Sequence, residues 1–219
     1  ELVKKYNADL AICLDGDADR VIILDELGNE IDGDQLIALI AKNLQSENKI
    51  QGNTVVSTVM SNLGLLRYLE DLGLNLFRTP VGDRYVSEIM KEKGFNFGGE
   101  KSGHIIMTDY SSTGDGLLAA LYFLSILKDS GKTTSQLLNV FKPTPQKLLN
   151  LNFESKDNPL DNPEFIKTIN ELRKKISDSG EILVRKSGTE PVIRIMIQHN
   201  DTKIFEEILE EINYMTSKL

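Results

Sequence analysis

The sequence predicts an α/β fold with a boundary between domains near residue 143. Short apolar runs rich in β-branched residues alternate with longer segments of helical periodicity from one end of the chain to the other, and this pattern is typical of α/β architecture. Two prolines within three residues, Pro143 and Pro145, favour extended chain over helix. The alternation therefore predicts the fold class, and the prolines predict where one domain ends.

Before this boundary, the pattern predicts a sheet whose strands are connected by helices. The chain is expected to enter its first strand directly after residues 1–5. Strands are predicted over residues 8–14, 21–24, 54–59, 75–79, 95–98 and 105–107. Helices are predicted from a cap at Asp34, over a segment that stops near Gly73, over 83–93, and over an apolar and well-buried segment at 116–130.

After the boundary, the pattern predicts a smaller β-α-β-β-α unit. Its strands are expected over 146–153, 181–184 and 192–197, with helices from Pro163 to about Asp178 and from Asp201 onward. A unit of this size is typical of a small independent domain.

Composition excludes several classes of function. The chain has 219 residues, of which 40% are apolar and 26% charged, as in an ordinary globular protein. Its net charge of −8 disfavours nucleic-acid binding, which needs a basic face. No apolar run approaches the roughly 20 residues of a membrane span. The single cysteine, Cys13, is expected to be a small buried side chain in a cytoplasmic protein.

The loop Asp15–Arg20 is the strongest candidate site. It reads Asp-Gly-Asp-Ala-Asp-Arg, with carboxylates at alternate positions, and like charges this close need a positive partner. Oxygen ligands from a short loop favour Mg²⁺, Ca²⁺ or Mn²⁺. Arg20 adds a planar fork suited to a phosphate or carboxylate. A metal beside an anion site indicates phosphoryl chemistry.

Two other interpretations fit parts of this loop. An EF-hand would use Asp15, Asp17, Asp19 and Glu26, but Arg20 stands where its sharp turn requires glycine. The flanking runs also predict strands rather than helices. A solvated acidic turn without a ligand is the other alternative.

Two further loops carry polar groups suited to a sugar phosphate. Residues 98–104 read Gly-Gly-Glu-Lys-Ser-Gly-His, so Glu100 and Ser102 can point the same way toward neighbouring hydroxyls, and His104 can bind phosphate or transfer a proton. Residues 185–191 read Arg-Lys-Ser-Gly-Thr-Glu-Pro, a turn able to form an anion-binding nest. A packed glycine-rich connection and an exposed basic turn remain the plainer alternatives.

Two shorter loops complete the set of candidates. They are Pro80–Tyr85 and Ser111–Gly116, and each either lines a cleft or caps the helix that follows it. Because a metal loop, a sugar loop and an anion nest occur in one chain, the sequence points to a phosphosugar enzyme.

Five motifs in this order resemble the α-D-phosphohexomutase family, and within it most closely the bacterial phosphoglucosamine mutases. They are Asp-Gly-Asp-Ala-Asp-Arg, Val-Gly-Asp-Arg-Tyr, Gly-Gly-Glu-Lys-Ser-Gly-His, Thr-Gly-Asp-Gly and Arg-Lys-Ser-Gly-Thr-Glu-Pro. The resemblance covers nearly the whole chain. It implies a role for each loop: Mg²⁺ on Asp15, Asp17 and Asp19; catalysis by Arg20 and His104; sugar hydroxyls on Glu100 and Ser102; and the non-reacting phosphate on Arg185, Ser187, Gly188, Thr189 and Arg194.

The resemblance also implies the architecture and the reaction. It assigns residues 1–30 to the end of domain two of a four-domain enzyme, 31–142 to a mixed-sheet α/β domain three, and 143–219 to a small α+β domain four. A phosphoserine and a bisphosphate intermediate would convert glucosamine 6-phosphate to glucosamine 1-phosphate for cell-wall precursors. No match to the serine loop occurs in these 219 residues. The chain is therefore interpreted as a C-terminal fragment that needs the N-terminal domains as partners and is inactive alone.

Two rival functions share these features. A phosphomannomutase/phosphoglucomutase has the same loop types, and Lys101 and Lys186 stand where glucosamine enzymes more often show other residues. A non-catalytic module that only binds sugar phosphates is the rival from another class. A haloacid-dehalogenase-type phosphatase is set aside, because Asp19 occupies the position where it needs threonine or valine.

Overall fold

The computed structural model describes residues 1–153, 158–176, 179–187 and 190–217. The chain divides into two compact units, Glu1–Lys142 and Pro143–Leu219. Unit 1 contains both the segment 1–30 and the segment 31–142; their assignment to separate domains stays a prediction. Within the described ranges, no helix combines the length and the apolar character that crossing a membrane requires.

Unit 1 begins with a small antiparallel sheet that carries the aspartate loop. Helix α1 (Leu2–Tyr6) comes first, so the expectation that the chain enters a strand directly is wrong. The sheet then has the order β1 (Leu10–Leu14), β2 (Val21–Asp25) and β3 (Glu30–Ile31). Leu14 pairs with Val21, so the six residues between them form the hairpin connection.

This first sheet is only half covered. In β2 the side chains alternate, with Val21 and Ile23 buried and Ile22 exposed, as expected for a sheet with one solvated face. Cys13 points to the open face and is exposed. The prediction that Cys13 is a buried hydrophobic residue is therefore wrong, because only one face of its sheet is covered.

The rest of unit 1 is a mixed sheet with connecting helices, which confirms the predicted α/β class. The sheet order is β5-β4-β6-β7; β5, β4 and β6 run parallel, and β7 is antiparallel to β6. The elements are α2 (Gly33–Ser46), β4 (Thr54–Thr58), α3 (Leu63–Asp71), β5 (Asn75–Thr79), α4 (Asp83–Lys93), β6 (Phe97–Gly99), β7 (Ile105–Met107), α5 (Gly116–Ser130) and α6 (Thr134–Leu137).

The core of unit 1 depends on the central strand and two apolar helices. Every residue of β4 is buried, as parallel strands covered on both faces require. Helix α2 is buried over Gly33–Ala41 and at Leu44, and its cap is Asp32 rather than Asp34, which lies inside the first turn. Helix α5 is less buried than expected, since Leu117 and Leu121 are exposed.

Unit 2 has the predicted β-α-β-β-α order. Its antiparallel sheet runs β8-β10-β9, and its elements are β8 (Gln146–Asn152), α7 (Pro163–Ile176), β9 (Gly180–Lys186), β10 (Val192–His199) and α8 (Thr202–Thr216). Both helices bury apolar residues at three- and four-residue spacing, including Phe165 and Ile169 on α7 and Ile208 and Ile212 on α8. This spacing places one apolar stripe of each helix in the core.

Candidate active site

The aspartate loop gathers three carboxylates at the end of the β1–β2 hairpin. Carboxylate oxygens from Asp15, Asp17 and Asp19 all lie within 4.8 Å of one another. The loop is closed by the bond from Ala18 N to Asp15 O, at 3.3 Å, and Ala18 has the left-handed φ of 58°. Gly116 N also donates to Ala18 O, at 2.9 Å, which fixes the loop against the start of α5.

Arg20 supplies the positive charge that the carboxylates need. Its Nε lies 2.7 Å from Asp15 Oδ2 and 3.4 Å from Asp19 Oδ1, and its backbone N donates to Asp15 Oδ1 at 3.2 Å. Desolvation pushes the pKa of Asp15 upward, but the hydrogen bonds and charge of Arg20 outweigh it, so that pKa is lowered overall. About half of the Arg20 side chain is exposed, which leaves it accessible to an anion.

His104 joins the aspartate loop to the glycine-rich loop. Its Nδ1 lies 3.1 Å from Asp19 Oδ2, and its backbone pairs with Arg20 in an isolated antiparallel bridge. The ring is buried, and its Nε2 edge packs so closely on Gly114 that a Cβ at that glycine would overlap it. The structure therefore gives His104 a direct bond to one of the predicted metal ligands.

The glycine-rich loop holds Glu100 half buried and Ser102 exposed. Glu100 Oε1 accepts a hydrogen bond from Gly82 N at 3.2 Å, so this loop contacts the loop before α4. Burial raises the pKa of Glu100 above its usual range, while the Gly82 N–H and the charges of His104 and Arg20 oppose the shift. Both predicted sugar ligands thus lie on the loop that ends at His104.

Asp83 is a site neighbour that the predicted site residues did not include. A carboxylate oxygen of Asp83, a carboxylate oxygen of Asp19 and a ring nitrogen of His104 all lie within 4.8 Å of one another. Asp83 is the first residue of α4, and the sequence left its loop undecided between lining a cleft and capping. The juxtaposition depends on tertiary structure, so only the loop and not the residue was identifiable.

The loop before α5 packs against His104 and the aspartate loop. Asp115 caps α5 by accepting a hydrogen bond from Leu118 N at 2.8 Å, and Gly114 and Gly116 pack on His104 and on the aspartate loop. The capping alternative for this loop is therefore confirmed, with a supporting contact to the site in addition.

Three of the predicted phosphate residues, Arg185, Ser187 and Arg194, lie at one end of the sheet in unit 2. Arg185 on β9 stands directly opposite Arg194 on β10. The Arg185 Nε is buried and has no hydrogen-bond partner among the described residues, and burial followed by the charge of Arg194 lowers the pKa of Arg185. Ser187 is buried, and its N donates to Val192 O at 2.8 Å. Gly188 and Thr189 lie outside the described residues.

Arg194 is only partly compensated. Its Nη2 lies 3.1 Å from Glu190 Oε2, an exposed pair of the kind that contributes little to stability. Two arginines directly across a strand pair repel each other, and a buried guanidinium nitrogen without a partner is costly. This end of the sheet is therefore suited to an anion.

Comparison with known families identifies the class. The phosphoglucomutase/phosphomannomutase α/β/α domain III matches residues 32–144, and the C-terminal domain of the same family matches residues 148–214. The chain belongs to the phosphoglucomutase/phosphomannomutase family. The resemblance drawn from the five motifs is thereby confirmed.

Curated relatives narrow the comparison. The chain is 50% identical over 212 residues to a phosphoglucosamine mutase from Cereibacter sphaeroides and 51% identical over 211 residues to one from Phenylobacterium zucineum. The matches cover 97% and 96% of this chain but 47% of each relative. The chain thus spans about half the length of the curated relatives it matches.

Solved structures share the fold. A phosphoglucomutase/phosphomannomutase family protein from Burkholderia thailandensis superposes with a TM-score of 0.79 at 24% identity, covering 97% of this chain and 47% of the other. The Aspergillus fumigatus N-acetylphosphoglucosamine mutase in complex with GlcNAc-6P and magnesium superposes with a TM-score of 0.74 at 20% identity, covering 92% and 51%. At these identities the likeness establishes the fold.

Proposed function

We propose that this chain contributes the metal, sugar and non-reacting-phosphate loops of a phosphoglucosamine mutase, which interconverts glucosamine 6-phosphate and glucosamine 1-phosphate. The observation that carries the proposal is the bond between His104 and Asp19. It places the metal loop and the glycine-rich loop against each other within one unit. The choice of glucosamine is supported by the names of the curated relatives at about half identity.

Asp15, Asp17 and Asp19 fit a magnesium ion. Their carboxylate oxygens lie close enough together to share one cation, and a set made only of oxygens is what Mg²⁺ prefers. When bound, the ion would neutralise charge on a transferring phosphoryl group. Arg20, already bonded to Asp15, would bring a second positive charge to the same place.

The sugar and the far phosphate would be held by the other two loops. Glu100 and Ser102 would bind hydroxyls of the sugar, and Glu100 is oriented for this by Gly82 N. His104 would orient Asp19 and transfer a proton at the reacting oxygen. Arg185, Ser187 and Arg194, together with Gly188 and Thr189, would hold the phosphate that does not react. The buried, unpartnered Nε of Arg185 supports this assignment, because an anion would satisfy it.

The covalent step needs a serine that these residues do not supply. In the proposed cycle, a phosphoserine transfers its phosphoryl group to the sugar, a bisphosphate turns over in the site, and the other phosphate returns to the serine. No serine-loop motif of the family occurs in the sequence. We therefore propose that the activity belongs to the whole protein, with the N-terminal domains as the partner of this chain.

The test is an assay of this chain and of the protein joined to an N-terminal half from a relative. Each is supplied with glucosamine 6-phosphate, Mg²⁺ and a hexose bisphosphate primer. We expect turnover only from the joined protein, and its loss on Asp17→Asn. Robust turnover by the chain alone would overturn the need for the missing serine.

A phosphomannomutase/phosphoglucomutase is the second candidate, because the matching family models carry that name. Competition between glucosamine 6-phosphate, mannose 6-phosphate and glucose 6-phosphate on the joined protein separates the two. A preference for either neutral sugar would replace the glucosamine assignment. Calorimetric binding by the joined protein without turnover of any sugar would instead support a binding module.

A further inference from the structure

Asp34 is a completely buried acid with an incomplete set of partners. It lies in the first turn of α2 and has 0% exposure. Its Oδ2 accepts a hydrogen bond from Asn62 N at 2.8 Å and lies 4.0 Å from Lys101 Nζ. Its Oδ1 is buried and has no hydrogen-bond partner among the described residues. Burying a carboxyl with an unsatisfied oxygen costs free energy, because the oxygen has given up its hydrogen bonds to water.

The first contact of Asp34 leads to the predicted sugar loop. Lys101 stands between Glu100 and Ser102, and its Nζ pairs with Asp32 at 2.6 Å besides approaching Asp34. The backbone contact is equally close: Gly33 N donates to Lys101 O at 3.2 Å, and a Cβ at Gly33 would overlap that oxygen. Residues 100–103 therefore pack directly on the start of α2.

The second contact of Asp34 leads to the same loop from the other side. Asn62 follows Ser61, whose hydroxyl lies 2.6 Å from Ser57 Oγ, and Ser57 Oγ donates to Gly99 O at 2.7 Å. Gly99 directly precedes Glu100. The Asp34 carboxyl thus reaches the loop both through Lys101 and through the segment that follows β4.

We propose that Asp34 is a positioning residue for the loop that carries Glu100 and Ser102, and that gain or loss of its proton changes how firmly this loop is held for the sugar. The proposal rests on the proposed function for its consequence in sugar-phosphate binding. Its structural part, the coupling of Asp34 to the loop, is independent of that function.

The charges around Asp34 make this coupling active near neutral pH. Burial, followed by the negative charge of Asp32, raises the pKa of Asp34 to about 7, while Asn62 N, Lys101 and Arg78 oppose the rise. Arg78 faces the group from β5, and its Nη2 donates to Val59 O at 2.5 Å. Above this pH the ionised carboxyl attracts Lys101 and accepts more strongly from Asn62 N. Below it the attraction weakens, and the loop loses one of its attachments.

The experiment follows the ¹³C carboxyl resonance of Asp34 and the amide resonances of Asn62, Lys101 and Ser102 in this chain from pH 4.5 to 9. We expect a common inflection near pH 7 that disappears from the amides in Asp34→Asn. Because His104 ends the same loop, the difference between the two proteins is the readout. Asp71→Asn makes the same chemical change at an exposed site and should leave the inflection in place.

A second variant covers the case in which Asp34→Asn fails to fold. Lys101→Gln removes the positive neighbour while leaving the buried carboxyl, so the Asp34 inflection should move to higher pH. The absence of an Asp34 inflection between pH 4.5 and 9, or an inflection that the loop amides do not follow, would overturn the positioning role.

Calorimetry with glucosamine 6-phosphate then connects the loop to binding. Between pH 6 and pH 8, we expect the sugar-phosphate affinity of the joined protein to rise about threefold more than that of the joined protein carrying Asp34→Asn; the ionisation of the ligand is common to both. If the amides follow Asp34 but the joined protein binds no sugar phosphate at any pH, the proposed function fails while the coupling stands. If sugar phosphate binds with equal pH dependence in both proteins, the coupling has no consequence for the site and the positioning role fails.

Discussion

Each unit of this chain holds a charged group that burial leaves incompletely bonded, and the two groups differ in how they can respond. In unit 1 one such group is Asp34, with Oδ1 buried and without a hydrogen-bond partner among the described residues; in unit 2 it is Arg185, with Nε in the same condition. Burial favours the neutral form of both groups. It raises the pKa of Asp34 to about 7 and lowers the pKa of Arg185.

An acid and a base differ in whether they can lose their charge at neutral pH. A carboxyl with a pKa of about 7 can take up a proton at neutral pH and so become neutral. A guanidinium remains charged throughout the accessible range, even when burial lowers its pKa. Only a bound anion can compensate the charge of Arg185, and the like charge of Arg194 directly opposite makes such binding more favourable. Unit 1 should respond to pH, and unit 2 should respond to anions.

The largest effect should come from neutralising Asp34. Its pKa is raised above the usual 3.8, so the folded state holds the proton more tightly than the unfolded state. The free energy of unfolding of unit 1 should then fall as pH rises from about 4 to about 7 and level off above it. A pKa of about 7 in place of 3.8 corresponds to up to about 4 kcal/mol. Denaturant unfolding of the chain across this range measures the slope.

Asp34→Asn should remove this slope. The variant should unfold at a higher denaturant concentration than the original chain at pH 8 and at a similar one at pH 4. Unit 2 is the internal control, because its transition should not change with this substitution. Equal pH slopes in the two proteins would show that Asp34 is ionised in the folded state at all these pH values.

A smaller loss of stability is expected from Gly103→Ala in the glycine-rich loop. Gly103 has a φ of +89°, and a Cβ there would overlap Val21 O. Backbone strain and overpacking together should destabilise unit 1 by about 3 kcal/mol. The matched control is Gly131→Ala, where φ is +65° but nothing lies within 4 Å of the added Cβ, and the cost should be only about 1 kcal/mol.

The two glycine variants also test whether unit 1 and unit 2 unfold separately. The loss in Gly103→Ala should appear in the thermal transition of unit 1 alone. A loss shared equally by both transitions would mean that the two units unfold together. The contrast between a pH response of unit 1 and an anion response of unit 2 would then fail for unfolding.

The sequence identified the loops better than the contacts between them. The short, apolar and partly β-branched runs on both sides of residues 15–20 predicted the two strands that flank the aspartates, because such composition is a local property. The bond between His104 and Asp19 joins residues 85 positions apart, and no local pattern encodes it. Asp83 was missed for the same reason: it is recognisable only as the first residue of a helix until tertiary structure brings it to Asp19.

Burial was the property that periodicity predicted least well. Cys13 lies in an apolar run, yet it is exposed because its sheet is covered on one side only. Helix α5 was expected to be well buried, yet Leu117 and Leu121 on it are exposed. Both errors concern what lies on top of an element, which the element's own sequence does not determine.

A change of about 1 kcal/mol is expected from Arg194→Gln in unit 2. Removing one of two opposed charges should stabilise the anion-free protein by about this amount, since the exposed pair with Glu190 contributes little. Adding phosphate should stabilise the original unit 2 but have a much smaller effect on the variant. Lys203→Gln, an exposed charge change on α8, is the control. A variant less stable than the original in phosphate-free buffer would show that the two arginines do not repel.

The smallest effect compares Arg20 with Mg²⁺ as the positive charge that compensates the carboxylates of the aspartate loop. Arg20 bonds Asp15 and Asp19, the same carboxylates that are proposed to hold Mg²⁺. Arg20→Gln should therefore raise the Mg²⁺ affinity of this chain by roughly two- to fivefold at low salt, because a competing positive charge is removed. In the joined protein the same variant should lower turnover, since the arginine is proposed to face the transferring phosphoryl group. Calorimetric titration with Mg²⁺, with Arg84→Gln on exposed α4 as control, measures the first effect. A weaker Mg²⁺ affinity in Arg20→Gln would mean that Arg20 orders the aspartates for the ion rather than competing with it.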